Sequence, residues 1–248
     1  MPRDIAVITR SFNEYLYQRA SEFFDPAWKK YRVVQSDAYG YLVQALEIPH
    51  EWVVNVDEDC FLYDYRRVNE MIAYMEGEGL HYAGQADGGV TVMREHNPLA
   101  MNPFFNIFHA ARIRENKTPK QRKFEGLEHL VDPIRMKFNY PQHSPDYQFE
   151  GGGWKFNDIE PYYPFFFWLL ENFKPLWLSG RDFPFWNLPI LNETQPATIV
   201  CDHHDEPLAI HAWYAREYHS NPWYRSRINQ CIEEAIRLRE HYARCRAN

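Results

Sequence analysis

Three acids, Asp57, Glu58 and Asp59, follow directly on the apolar run Trp52-Val53-Val54-Asn55-Val56 and precede Cys60-Phe61-Leu62-Tyr63. A short apolar run of this kind reads as a buried strand, and open α/β sheets bind their ligands outside the carboxyl ends of such strands. In an extended chain residues i and i+2 point to the same side. Asp57 and Asp59 are therefore expected to face one cleft, where they can share a divalent cation and a diphosphate, while Glu58 points the other way. Carboxylates set between apolar segments are costly unless compensated, and a bound Mn²⁺ or Mg²⁺ would offset that cost. The plain alternative is a solvated turn after a strand.

A third metal ligand is available far downstream. His211 ends the apolar run Leu208-Ala209-Ile210, and a neutral imidazole is a sound partner for carboxylates and phosphate oxygens around such an ion. The neighbouring Asp202-His203-His204-Asp205 has the residue types of a metal site, but consecutive histidines on a polar loop seldom point the same way, so it reads as a turn. Cys60, Cys201, Cys231 and Cys245 form no Cys-x-x-Cys pair, which fits reduced thiols. Cys60 reads as a buried small side chain.

Elements that could position these groups come in the order strand, helix, strand, helix, strand within the first 60 residues. Strands are expected at Asp4–Ser11, Arg32–Asp37 and Trp52–Val56, the first of them central, with helices over Phe12–Phe24 and Gly40–Leu46. That alternation implies right-handed parallel crossovers. A helix follows from Asp64 to Met75, then a strand near His81–Ala86. Met101–His109 is read as the start of a helix with Pro103 in its first turn. Arg112–Lys123, with six basic residues, is read as a solvated loop, with a lid over an anionic ligand or a contact with an anionic lipid head group as the alternatives. Around the second acidic cluster, three glycines (Gly151, Gly152, Gly153) lead through Trp154 to Asn157, Asp158 and Glu160, and an aromatic helix over Tyr162–Leu170 is expected to be capped by Asn157 or Asp158. Two strands, Ala197–Cys201 and Leu208–Trp213, precede a last helix from Pro222 to about Arg246. Asn221 caps it, and its second face carries Arg225, Arg227, Arg237, Arg239, Arg244 and Arg246.

An apolar strand ending in Asp-x-Asp resembles the GT-A nucleotide-sugar glycosyltransferases. The resemblance implies an α/β, GT-A-like (Rossmann-like) fold with a mixed, mainly parallel sheet flanked by helices, in one domain over 1–248. Its nucleotide-sugar-binding half would be 1–95, its acceptor and metal-completing half 96–220, and the C-terminal helix 221–248. By position in that family, Thr9, Arg10, Ser11 and Asp37 would hold base and ribose. Arg10 is chemically the best of them, because a guanidinium can stack on a base or fork a phosphate; Asp37 is equally a helix N-cap. Asp57 would bind ribose and metal, Asp59 and His211 the metal. Asp87-Gly88-Gly89-Val90 resembles the Asn-x-Gly-Val segment beside the donor sugar of retaining members, with Asp87 in place of Asn. Asp158 would be the general base of an inverting member, with Glu150 and Glu160 as rivals, and Trp154 a platform for an acceptor sugar. His211 with the later Arg216, His219 and Pro222-Trp223 resembles the glycogenin-like pattern, at a longer spacing and without its Gly and Lys, and by that resemblance Arg216 would neutralise the leaving diphosphate.

Composition bounds these expectations. The 248 residues carry a net charge of −7, which argues against a nucleic-acid partner. Aromatics make 17% of the chain, suited to a large core or to sugar rings. No run of about 18 apolar residues and no charged leader is seen. The expected location is cytoplasmic; the arginine face of the last helix reads as a solvated face, with a contact for the inner face of a membrane or for a partner as the alternative. The expected activity is hexosyl transfer from a nucleotide-diphosphate sugar to a glycan or other hydroxyl acceptor, as in cell-surface glycan synthesis. Two alternatives stand. A haloacid dehalogenase-like phosphatase also starts from strand-Asp-x-Asp, but wants Thr or Val after its nucleophile on an early strand. A non-catalytic carbohydrate-binding module would keep the fold without turnover.

Overall fold

A computed structural model of the chain describes residues 3–87, 97–131, 133–134, 160–185 and 196–247. The apolar runs form strands β1 (Ile5–Ser11), β2 (Lys29–Val34), β3 (Trp52–Val56) and β5 (Tyr82–Ala86), alternating with helices α1 (Glu14–Ser21), α2 (Ala38–Glu47) and α3 (Tyr65–Gly77). Each helix starts on a side-chain cap. Asn13 accepts from the Leu16 amide, Asp37 from Gly40 and Asp64 from Arg66.

With β6 (Met101–Phe108) and β7 (Pro175–Leu178), these strands make a six-stranded sheet in the order β2-β1-β3-β6-β5-β7. The sheet is mixed and mainly parallel, because only β6 runs against its neighbours β3 and β5. Helices flank both faces. Along β1 the even residues Ala6 and Ile8 pack with α2, α4 (Ala110–Arg114) and α5 (Tyr163–Asn172), while Ile5 and Val7 pack with α1, α3 and α6 (Pro222–Ala247). Burial on both faces is why β3 reads as a nearly continuous apolar run.

A second, antiparallel sheet is built from β4 (Cys60–Leu62), β8 (Gly180–Phe183), β9 (Ala197–Cys201) and β10 (Pro207–His211), in the order β4-β10-β9-β8. It carries the late histidine back to the tip of β3.

Several expectations from the sequence change here. The first strand lies next to the edge strand β2, and the centre of the sheet is β3 and β6. Met101–Phe108 is a strand, not a helix. Its aromatic residues suit a sheet buried on both faces, and Pro103 falls where the β5–β6 ladder breaks register, between Gly84 and Ala86, so its missing N–H costs no regular ladder bond. Helix α5 begins at Tyr163 with Tyr162 at its cap position and a proline in its first turn, which removes the capping role expected of Asn157 or Asp158.

The basic stretch after Arg112 is tied down rather than shaped as a lid. Arg114 donates to the carbonyls of Leu46, Ile48 and His50 at the end of α2, while Lys120 pairs with Glu47 and Arg122 with Glu171. On α6, Arg227 belongs to the buried face, Arg237 pairs with Glu234, and Arg246 pairs with Asp64. No helix among the described residues is long and apolar enough to cross a membrane.

Candidate functional site

The register of two sheets sets the site. Parallel pairing of β1 with β3, with Ile8 opposite Asn55, puts both carboxyl ends at one edge of the sheet. After Val56 the chain turns rather than continuing extended, with the Cys60 amide bonded to the Asp57 carbonyl, and then forms β4. Antiparallel pairing places His211 opposite Cys60. The imidazole Nε2 thus comes to 3.2 Å from Asp59 Oδ1, and the backbone amide of Ala212 donates to the Asp59 carbonyl. From β1, Arg10 Nη2 donates to Asp57 Oδ2 at 2.9 Å.

These groups open on a cavity of about 510 Å³, within the usual range for small-molecule sites. Arg10, Phe12, Asp37 and Ala38 form one wall and Asp57, Glu58 and Asp59 the floor. Asn102, Pro103 and Glu160 to Tyr162 form a second wall, His211 and Trp213 to Glu217 a third.

Burial pushes the Asp57 carboxyl up, against the pull of the Arg10 guanidinium. At Asp59 burial works in the same direction, but the neighbouring His211 and the Ala215 amide outweigh it and hold the carboxyl below its usual value. Two carboxyls one residue apart are thereby driven in opposite directions by different partners, as functional sites often arrange. Burial pushes the Cys60 thiol up, which fits an inert buried side chain.

Asp57, Asp59 and His211 supply the chemistry a hard divalent cation wants, two carboxylates and an imidazole. Asp57 Oδ1 and His211 Nδ1 are buried and lack hydrogen-bond partners among the described residues, so valence is left over at the site. The three are not gathered around one point, since Asp57 turns to Arg10 and Asp59 to His211. Among the described residues no three His, Cys, Asp or Glu side chains form a ready metal cluster. The donor set fits an ion that would draw the Asp57 carboxylate away from Arg10.

Of the other residues singled out in the sequence, Asp37 lines the cavity while its carboxylate also caps α2, and Arg216 lies 5.0 Å over the Phe12 ring at the mouth. Thr9 and Ser11 are buried and do not line the cavity, because on a strand they alternate with Arg10 and face α1 and α3. Asp87 is buried beneath the wall, accepting from Tyr162 Oη at 2.6 Å and Asn102 Nδ2 at 2.8 Å. Gly88, Gly89, Glu150, Trp154 and Asp158 lie outside the described residues.

Three features escaped the sequence reading. Glu58, expected only to point away from its neighbours, has a role of its own: its Oε2 accepts from Ser11 Oγ and the amides of Phe12 and Asn13, clamping the loop after β1. Trp213 and Tyr214 both hold left-handed backbone, at φ 62° and 63°, which bulky residues avoid unless their surroundings impose it. What imposes it is Asp59, which bonds Ala212 and Ala215, and the fully buried Arg227, which donates to the carbonyls of Ala212 and Pro196. A charged residue among the apolar positions of α6 was the available signal for Arg227, had it been counted with that face.

No protein-family model matches the chain, and no curated protein is similar to it in sequence. Among solved structures it is similar to the mannosyltransferase PcManGT from Pyrobaculum calidifontis in complex with GDP-Man and Mn2+, at 12% identity and a TM-score of 0.34, over 46% of this chain and 47% of that one. The chain thus matches about half the length of that structure, and the chemistry of its site stands on its own residues.

Proposed function

We propose that the chain is a metal-dependent glycosyltransferase that moves a sugar from a nucleotide-diphosphate donor to a hydroxyl acceptor. The observation that carries this reading is the convergence of Arg10, Asp57, Asp59 and His211 on one cavity at the carboxyl edge of a mainly parallel sheet. Asp57, Asp59 and His211 would hold Mn²⁺ or Mg²⁺, which supplies Lewis-acid stabilisation of the negative charge on the leaving diphosphate. Arg10, now paired with Asp57, would turn to the diphosphate oxygens. Asp37 and Ala38 would border the nucleoside, and Arg216 would steady the leaving group from the opposite wall. Among the acids considered for taking the acceptor proton, Glu160 lines the cavity, while Asp158 and Glu150 remain assigned by sequence position. In this reading residues 1–95 supply the donor side and 96–220 the acceptor side of one domain.

The test is a thermal-shift and calorimetric screen of nucleotide-diphosphate sugars with Mn²⁺ and with EDTA. A donor should stabilise the protein only when the metal is present, and Asp59→Ala should lose that shift. Unchanged metal-dependent transfer in Asp59→Ala would overturn the assignment. Hydrolysis of simple phosphate esters through an aspartyl-phosphate would point instead to the phosphatase reading.

A further inference from the structure

Four side chains that line the cavity are already paired with one another. Arg10 Nη2 lies 2.9 Å from Asp57 Oδ2, and His211 Nε2 lies 3.2 Å from Asp59 Oδ1. The two pairs are not equally fixed. Asp59 also accepts from the Ala215 amide through Oδ2, and the His211 ring is stacked on Phe104 at 4.0 Å and packed on Trp213 at 4.2 Å. Asp57 Oδ1, by contrast, is buried without a partner among the described residues. The Arg10 guanidinium rests over the Tyr41 ring, 5.7 Å from its centroid, and that ring is anchored by its hydroxyl donating to the Ile8 carbonyl. This platform supports the guanidinium whether or not it keeps Asp57.

The Arg10 and Asp57 side chains are only 16% and 12% exposed. Taking one partner from an ion pair so far out of water leaves the other charge uncompensated, which costs more than the intact pair contributes. A divalent cation arriving alone at Asp57 must strip Arg10 of its carboxylate. A diphosphate arriving alone at Arg10 must strip Asp57 of its guanidinium, next to Asp59. When the two arrive together, each supplies the partner that the other removes.

We propose that the Arg10–Asp57 pair is a latch that makes the divalent cation and the nucleoside diphosphate bind interdependently. The closed pair opposes either ligand alone. Both together open it, with Asp57 turning to the cation and Arg10 to the diphosphate oxygens, while Asp59 and His211 keep their places. Linkage then requires that the factor by which the cation tightens the diphosphate equals the factor by which the diphosphate tightens the cation. This deepens the glycosyltransferase reading and rests on it for the diphosphate.

The experiment is calorimetry on the full chain with UDP, GDP, ADP and CDP, in EDTA and with saturating Mn²⁺. Binding of Mn²⁺ alone is followed by the loss of its free-ion paramagnetic resonance signal. In the parent, at least one diphosphate should bind at least tenfold more tightly with Mn²⁺ than in EDTA. Arg10→Met releases Asp57 and should bind Mn²⁺ alone at least fivefold more tightly than the parent. Arg216→Met removes a guanidinium from the cavity but not from Asp57, and should show no such gain. Asp57→Asn releases Arg10 and should bind the same diphosphate in EDTA at least fivefold more tightly; being close in shape to the parent, it keeps the proposal falsifiable should Arg10→Met fail to fold. A smaller gain in Arg10→Met, an equal one in Arg216→Met, or none in Asp57→Asn would each overturn the latch and leave the donor reading standing. A parent that binds no diphosphate, or binds it equally with and without Mn²⁺, sinks the donor reading and the latch together.

Discussion

Glu58 sits between two carboxyls that serve the cavity, yet its own bonds serve the loop after β1. Three donors meet at its Oε2, while Oε1 is buried without a partner among the described residues. Burial outweighs the three bonds and pushes its carboxyl up to about 7. A carboxyl raised above its unfolded value keeps its proton in the folded chain after the unfolded chain has lost it. Stability therefore falls as pH rises from about 4.5 to about 7, and the penalty is complete above that. The half-buried His81, His109 and His203 are lowered by desolvation and act in the opposite direction, so the parent curve alone does not isolate Glu58. The difference between parent and Glu58→Gln does. Urea midpoints measured in EDTA across pH 5 to 8 should converge toward or cross in favour of Glu58→Gln as pH rises. A pH-independent difference between the two would contradict the raised carboxyl.

At the scale of elements, the middle of the sheet is held by polar side chains as well as apolar ones. Asn55 on β3 donates to Asn106 on β6 at 3.0 Å, and Asn106 donates to the Asn102 carbonyl next to the Asp87–Tyr162 pair. This buried ladder needs room on β5, and Gly84 provides it. A Cβ there would run into the Asn106 amide and lie 3.2 Å from the Phe105 carbonyl, which backbone cannot yield. Gly84→Ala should lower stability by about 1–3 kcal/mol in urea unfolding and disturb Asn102 at the cavity wall. Equal stability would mean the ladder is slack. These strands also mark what the sequence could and could not say. Trp52–Val56 and its acids were legible because a strand buried on both faces writes itself as an apolar run. Met101–Phe108 was not: Pro103 imitates a helix start, and the register break that excuses it is set by β5, across the sheet. Asp59 and His211 could be named separately, but their contact follows from a three-residue strand pairing across some 150 positions, which no local pattern records.

For the molecule as a whole, α6 is the piece on which the site's geometry closes. Ile228, Cys231, Ile232 and Ala235 are buried in the core that contains Cys60, Phe61 and Leu62 of β4 and Leu208, Ala209 and Ile210 of β10. Arg227 on the same helix holds the turn that follows His211. Full burial of a large apolar side chain contributes about 1.5–3 kcal/mol, so losing the two isoleucines, the cysteine and the alanine together removes a sum comparable to the ~5–15 kcal/mol that holds a typical domain folded. A chain ending at Asn221 should therefore lose cooperative unfolding and near-ultraviolet dichroism together. The milder Arg227→Met keeps the apolar face and leaves two carbonyls short of a donor, at a cost of about 1–3 kcal/mol for each group left unsatisfied. If that variant folds, it should relax the Trp213–Tyr214 turn, and Trp213 fluorescence should shift while the sheet remains intact. A truncated chain that still unfolded cooperatively would show that the two sheets hold each other without the helix, and that the placement of His211 beside Asp59 is fixed by β4 and β10 alone.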